Sequence, residues 1–419
     1  MVAWYTTPMR RRVLAIAVGV ALVVPLLLSA GDRVLQPSDG NRAERAASGT
    51  AEQEADADGT ADRPSGNATS TTTGPPASFT LVATGDVLLH SPLWRQAEAD
   101  GAATGAGGMD FAPLLAGIRP TVEDADLAIC HMETPIAPAG GPYSGYPSFS
   151  VPPEIVPALA ATGYDACTTG SNHTFDRGAD GVDRTIAALE AGGLEHAGSA
   201  RSPAEATEIT LLQAGEATVA LLSYSYAFNG IPAPNGEAWR ANPIDENRIV
   251  SDATGARHAG ADVVVVALHW GLEYQNEPTD QQATLAPRLI AWPDIDLLIG
   301  HHAHVVQPIQ EVGGEWIVYG MGNSLATQSS RGTGKEEGLI VRFTFTEGDE
   351  GWSVTRAEYA PTLIAEGFSP LRLVEVDRAL ADPATDPAQR ARLEQARDRT
   401  AGIVNSLGAA EAGLVPIQP

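Results

Sequence analysis

The sequence is poor in cationic and sulfur-bearing side chains. Lys335 is its only lysine, and 26 basic residues face 52 acidic ones. The formal net charge is −26. Nucleic acids and anionic membrane surfaces are bound through basic patches, so no such partner is expected. The charge suits a soluble protein outside the cell, or one that tolerates salt. The scarcity of lysine reads as genome composition. Only two cysteines are present, Cys130 and Cys167, each at or near the end of an apolar, strand-like run. In an exported protein they could pair across neighbouring strands. Two buried thiols is the other reading, and the sequence does not choose.

The 419 residues allow one large domain or two smaller ones. Apolar content is ordinary for a globular chain, so a sizeable core is expected. Met1–Arg12 ends in three arginines, and Val13–Ala30 is unbroken apolar sequence. A basic flank before an apolar run predicts a secretory signal or an amino-terminal membrane anchor over 1–30. No cysteine follows that run closely, which excludes a lipoprotein anchor. Gly31–Ala77 is polar and lacks an apolar period, so it is expected to be a flexible tether. The remainder is expected to fold as one domain over 78–365 with a helical tail over 366–419. The localisation expected is extracytoplasmic, either tethered to the membrane or released after cleavage.

Apolar, β-prone runs alternate with helical patterns from Ser78 onward, which predicts an α/β domain with many parallel strand pairs. Strands are expected at Ser78–Thr84, Ala125–Cys130, Tyr164–Thr168, Ala217–Ser223, Ala261–Leu268, Ile295–Ile299 and Trp316–Tyr319. Gly338–Phe345 and Trp352–Tyr359 read as a late hairpin with its turn at Glu347–Gly351. Helices are expected over Ala179–Ala191 and Asp280–Trp292. The repeated event is a strand that runs into a ligand-type residue. Asp86, Glu133, Asn172-His173, His269 and His302/His304 stand at five such ends.

The densest of these is Leu297–His304, where three of the chain's nine histidines fall in four residues. On an extended segment His302 and His304, two apart, would face the same way. His131 and Glu133 have the same spacing. Loops at the carboxyl ends of parallel strands converge, so five such endings point to a metal site. Mixed oxygen and imidazole donors suit Mn, Fe or Zn. Six ligands exceed the need of one tetrahedral ion, so two ions are expected. Asp176 or Asp180 reads as a helix cap and Asn323 as a turn residue. Arg177 and Arg240 read as solvated, and Tyr224, Tyr226 and Phe228 as strand packing.

Five groups of residues carry a family resemblance: Gly85-Asp86-Val87, Asp126–Pro135, Ser171-Asn172-His173, His269-Trp270-Gly271 and Gly300–His304. Together with Tyr319–Ser324, their order and spacing resemble the calcineurin-like metallophosphoesterase superfamily, in its CapA branch of poly-γ-glutamate capsule-synthesis proteins. The resemblance covers roughly Phe79 to Pro361. It implies a four-layer αββα sandwich with two mixed β-sheets and a dinuclear site. Asp86 and His304 would hold one divalent ion, Asn172, His269 and His302 the other, and Glu133 would bridge. His173 matches the catalytic histidine. His131, Glu273 and Tyr274 are candidate substrate-binding residues. Two departures stand out. Leu88 occupies a position where the superfamily has a histidine, which leaves the first metal one ligand short. His301 intervenes before the first histidine of the pair, as a variable residue.

The resemblance implies an exported protein in synthesis, export or attachment of an anionic surface polymer, with a metal-dependent hydrolase site. The partners expected are that polymer or a phosphoester, and membrane-bound synthesis or export proteins. The alternatives are a non-catalytic, membrane-tethered component of such a machine, and a secreted phosphoesterase.

Overall fold

Fifteen strands appear among the described residues. They are β1 (Ser78–Leu88), β2 (Leu127–Met132), β3 (Ala166–Thr168), β4 (Glu195–Ala197), β5 (Thr210–Ala214), β6 (Ala217–Ser225), β7 (Val263–His269), β8 (Leu297–His301), β9 (Ile309–Val312), β10 (Glu315–Val318), β11 (Asn323–Ala326), β12 (Glu337–Gly348), β13 (Gly351–Leu363), β14 (Val374–Glu375) and β15 (Val415–Pro416). The helices are α1 (Ser91–Thr104), α2 (Ala112–Leu115), α3 (Arg119–Glu123), α4 (Ile155–Thr162), α5 (Gly178–Ala191), α6 (Glu246–His258), α7 (Asp280–Ile290), α8 (Val376–Ala381) and α9 (Pro387–Val404). The computed structural model describes residues 76–105, 107–328, 334–365 and 367–419. The expected leader or anchor lies outside them, as does all but the end of the expected tether.

The strands form two mixed sheets. One runs β14-β13-β12-β1-β2-β3-β4, with β11 also on β1 and β15 on β13. The other runs β5-β6-β7-β8-β10-β9. Strands β1 to β4 pair in parallel, as do β6, β7, β8 and β10. Side-chain alternation decides what each face meets. Leu81 and Ala83 of β1, with Val263, Val265 and Ala267 of β7, fill the layer between the sheets. Val82 turns the other way, onto Leu93 and Ala97 of α1 and Leu159 of α4. Val264, Val266 and Leu268 turn outward onto Ile249 and Ala253 of α6 and Leu285 and Leu289 of α7. The result is a four-layer αββα sandwich. Strands buried on both faces read as continuous apolar runs, which is why β7 is so plain in the sequence.

Helix α7 shows a local signal at work. Thr279 accepts from the Gln282 backbone while Gln282 reaches back to Thr279, a complete capping box. Helix α6 starts on Asp245, whose carboxylate accepts from Arg248 N–H. After residue 365 the chain adds more than helices. Strands β14 and β15 pair with β13, and Leu393 and Ala396 of α9 pack against Leu363.

Two expectations need correction, and the open question of the cysteines has an answer. The hairpin turn is tighter than Glu347–Gly351, because Gly348 pairs with Gly351 and leaves Asp349-Glu350 as its two central residues. Asn323 is not a turn residue; it opens β11 and pairs with Asp86. The cysteines are bonded: Cys130 and Cys167 are direct partners across β2 and β3.

Strand β1 changes partner near its end. It pairs with β12 through Thr84 and with β11 from Asp86 onward. Gly85 stands at the switch, and a Cβ there would collide with the Gly322 carbonyl. Gly300 is equally tight in β8, against the Tyr319 carbonyl. Gly300→Ala is therefore expected to lower stability by about 2 kcal/mol or more, read as a drop in Tm. It should also lower metal affinity, since β8 leads directly into the histidines. An unchanged Tm would contradict the packing described here.

Candidate metal centre

The parallel strands of both sheets deliver their carboxyl ends to one edge. Asp86 comes from β1, His131 from β2 and Glu133 from just after it. Asn172 and His173 follow β3, His269 closes β7, and His301 closes β8 with His302 and His304 just beyond. All are buried. Seven of the nine histidines lie here or in the adjoining cleft; only His196 and His258 are elsewhere.

Asp86 is the hub. Its Oδ1 is 3.0 Å from His301 Nδ1 and its Oδ2 is 3.1 Å from His304 Nδ1. The His302 N–H also donates to Oδ2. Asn323 Oδ1 lies 3.1 Å from His304 Nδ1. Two acceptors on that nitrogen fix its hydrogen there and leave Nε2 toward Glu133 Oε1, at 3.8 Å. A second chain of contacts runs from Thr168 to His131, then from His131 Nε2 to His269 Nδ1 at 3.0 Å. It continues from His269 Nε2 to Asn172 Oδ1 at 3.0 Å. The His131 and His301 rings stack, with centroids 4.0 Å apart.

Burial sets the electrostatics. It would raise the Asp86 carboxyl, but hydrogen bonds from His301 and His304 reverse this and hold it well below the usual range. Burial pushes Glu133 up to about 7, against the pull of His304. Burial would lower His304, but Glu133 and Asp86 outweigh it and push the imidazole up to about 9. His131 and His269 are driven well down, first by burial and then by neighbouring imidazoles.

The donor set fits divalent ions. Both oxygens of Glu133, Nε2 of His301 and Nδ1 of His302 are buried without a hydrogen-bond partner. Orphaned buried polar atoms are rare and need a reason. Asp86, Glu133 and His304 each offer an atom within 4.8 Å of the others, and so do Asp86, His131 and His301. Glu273, His302 and His304 form a third such group at the rim. The mixture of imidazole and carboxylate suits Mn, Fe or Zn.

The structure brings together Asp86, Glu133, Asn172, His173, His269, His302 and His304, with His131 beside them. Glu273 and Tyr274 stand at the exposed rim. The reason expected for the histidine pair was wrong. The strand stops at His301, and His302 and His304 carry φ of +88° and +55°. They converge through left-handed backbone, not strand alternation. Among the described residues, four of the five non-glycine residues with positive φ are at this site: Asn229, Tyr274, His302 and His304. Strain of this kind collects where function requires it.

Sequence reasoning missed His301, passed over as a variable residue. Its contact with Asp86 places an imidazole where Leu88, buried in the core, offers none. The signal was its place as the last strand residue before the pair. Asp176 is not a helix cap. Its Oδ2 is 2.8 Å from His173 Nδ1 and also accepts from Phe149 N–H. Arg177 is not solvated but ties down the Phe149 and Ser148 carbonyls. Arg240 is buried between Glu237 and Asp183. Tyr224 is core, donating to Asp252, and Phe228 packs on Phe175. Tyr226 is not strand packing: it is 41% exposed, with its ring 4.5 Å from that of His302. A separate cavity of about 300 Å³ lies beside Glu190, His196 and Glu205. Arg201 already occupies both of those carboxylates.

Residues 80–328 match the family described as bacterial capsule synthesis protein PGA_cap. Among curated proteins, the chain is 30% identical over 190 residues to the capsule biosynthesis protein CapA of Bacillus anthracis, covering 45% of this chain and 46% of that one. It is 30% identical over 176 residues to the PGA biosynthesis protein CapA of Bacillus subtilis, covering 42% and 46%. The match spans about half the length of these curated relatives. A solved calcineurin-like phosphoesterase, YfkN from Bacillus subtilis, is similar at 16% identity and a TM-score of 0.40, covering 71% of this chain and 94% of that one. A likeness that distant says nothing about chemistry.

Metal loading must expel protons. His304 holds one below about pH 9 and Glu133 holds one below about pH 7, and both bind metal only when deprotonated. Affinity for Mn²⁺ or Zn²⁺ is therefore expected to rise steadily from about pH 5.5 to 8. Titration calorimetry in buffers of different ionisation enthalpy would show protons released at pH 6. His301→Ala should weaken binding by about 10–100-fold. Affinity that ignores both pH and this substitution would argue that no ion sits here.

Proposed function

The chain belongs to the bacterial capsule synthesis family PGA_cap, and from that membership we propose a metal-dependent hydrolase or transferase acting on a cell-surface anionic polymer of poly-γ-glutamate type. The observation that carries the catalytic part is the set of orphaned ligand atoms around Glu133, His301 and His302. Two divalent ions, of Mn, Fe or Zn type, would be held by Asp86, Glu133, Asn172, His269, His302 and His304, with His301 and His131 beside Asp86. Bound there, they would supply an acidified water and neutralise charge on the group under attack.

The chain's own residues would handle the proton. Asp176 accepts from His173 Nδ1–H at 2.8 Å, which leaves Nε2 as the atom that can give a proton to a leaving group. The Phe149 ring meets the His173 ring edge-on at 4.8 Å, and Ser171 Oγ accepts from the His173 N–H. The imidazole is thus fixed in tautomer and in orientation.

The disulfide supports an oxidising compartment, as does the basic flank before the apolar run at Val13–Ala30. The reading is of an exported protein that works beside membrane synthesis or export proteins. Two relatives carry the words capsule biosynthesis and PGA biosynthesis, which favours the polymer over a scavenged phosphoester.

The full-length chain is expected to hold about two ions, lost in an Asn172→Ala, His269→Ala double variant. With added Mn²⁺ it should turn over a phosphodiester or phosphomonoester probe. His173→Ala should lower that turnover by about 100-fold at unchanged metal content. Bound metal without turnover of any probe would favour an assembly role instead. No metal under any loading condition would remove the site.

A further inference from the structure

The chain's one lysine stands in the cleft that opens onto the metal centre. This cleft has a volume of about 550 Å³, and its wall includes His90, Tyr146, His173, Tyr274, His304 and Lys335. Lys335 Nζ lies 3.5 Å from the Tyr274 ring centroid, and that ring is 6.0 Å from the ring of His304. The platform is held in place. The Tyr274 N–H donates to the Ala303 carbonyl at 2.7 Å, within the histidine loop. Its φ of +66° is a conformation that tyrosine rarely adopts. The Lys335 carbonyl in turn accepts from Asn323 Nδ2, and Asn323 also contacts His304.

Lys335 differs from the arginines around the fold. Arg201, Arg257, Arg288, Arg372 and Arg392 are each held by a carboxylate at 3.1 Å or less. No carboxylate among the described residues forms an ion pair with Lys335; its contact is the Tyr274 ring. An ammonium on an aromatic face keeps hydrogens free for a ligand. The surrounding charge narrows what that ligand is. At −26 the chain repels a polyanion overall, but salt limits that repulsion to about 8 Å at physiological strength. A cation in the cleft acts on what is already inside.

We propose that Lys335, seated on Tyr274, binds a free carboxylate of a γ-linked polyglutamate chain beside the bond held at the metal centre. This rests on the function proposed above and adds how its substrate is recognised. Lys335 is a specificity-determining residue, and no covalent step is assigned to it.

The test is calorimetry on the metal-loaded full-length chain. The probes are a γ-linked glutamate hexamer and the same hexamer with its carboxylates converted to amides. The acid form is expected to bind, and the amide form to bind at least about tenfold more weakly. Lys335→Gln should cost the acid form about tenfold and leave the amide form unchanged. Lys335→Arg should recover most of the loss, and Tyr274→Leu should reproduce part of it. Metal content should match wild type in each variant, which separates recognition from damage to the centre. Equal binding of the acid form by wild type and Lys335→Gln would overturn the proposal. So would equal loss of both forms, or a Lys335 dependence seen only with a phosphorylated probe. A wild-type chain that holds no metal would instead sink the function proposed above, while the acid-over-amide preference and its dependence on Lys335 would still be read.

Discussion

Glu133 is a carboxylate taken fully out of water with no hydrogen bond to either oxygen. Burial without a partner is among the most expensive arrangements a fold can hold. The rest of the centre answers to that constraint. His304 offers its Nε2 from 3.8 Å, His269 stands at 4.0 Å, and Asp86 is kept ionised by two imidazoles of its own. None of these meets Glu133 at hydrogen-bond length. A site built so stores instability that a cation relieves. The surrounding layers, with apolar packing on both faces of both sheets, are what tolerate it.

Precision at the centre comes from close backbone approaches. The β1 partner switch at Gly85 puts Asp86 opposite Asn323, and the close approach of Gly300 to the Tyr319 carbonyl brings β8 against the end of its parallel neighbour β10. Both glycines are needed because any side chain would meet a carbonyl. From these two anchors the histidines reach inward on left-handed backbone. Rigid strands thus aim the first half of the site and strained loops aim the second. The strain is sustained because Asp86 and Asn323 hold the loop from below through His302 N–H and His304 Nδ1.

Much of this was legible in the sequence because doubly buried strands are contiguous apolar runs. β7 and β8 appear as the expected runs Ala261–Leu268 and Ile295–Ile299, the first followed directly by His269 and the second by Gly300 and the histidines. Strand β11 was not legible, since Asn323-Ser324 follows a Gly-Met-Gly run that looks like a turn. Its pairing with β1 is a long-range fact that no local pattern records. His301 was passed over as a variable residue of the resemblance, and alternation from an inward-facing His302 would assign the residue before it to the far face. That logic fails where the strand has ended. Asp176 was misjudged because an acidic residue before a helix is usually a cap; its bond to His173 depends on a turn at Ser171–Gly178 that local pattern does not reveal.

The two halves of the electrostatics act over different distances. Within the centre, desolvation makes each charge count strongly, and imidazoles, carboxylates and ions must nearly balance. At the surface, salt cancels most of the excess acidity beyond a short range. An anionic polymer meeting this protein would find no attraction along the acidic surface, and its binding would depend on what lies inside the cleft. There the cationic groups of the chain are few: His304 while it keeps its proton, and Lys335 on its aromatic seat, to which the proposed ions would add. A recognition site with so few cations discriminates by the placement of a charge on the ligand more than by its total charge. An acidic surface and an anionic substrate are then compatible. On the function proposed above, the surface would keep the polymer from adhering where no chemistry occurs, and the cleft would hold it where chemistry can.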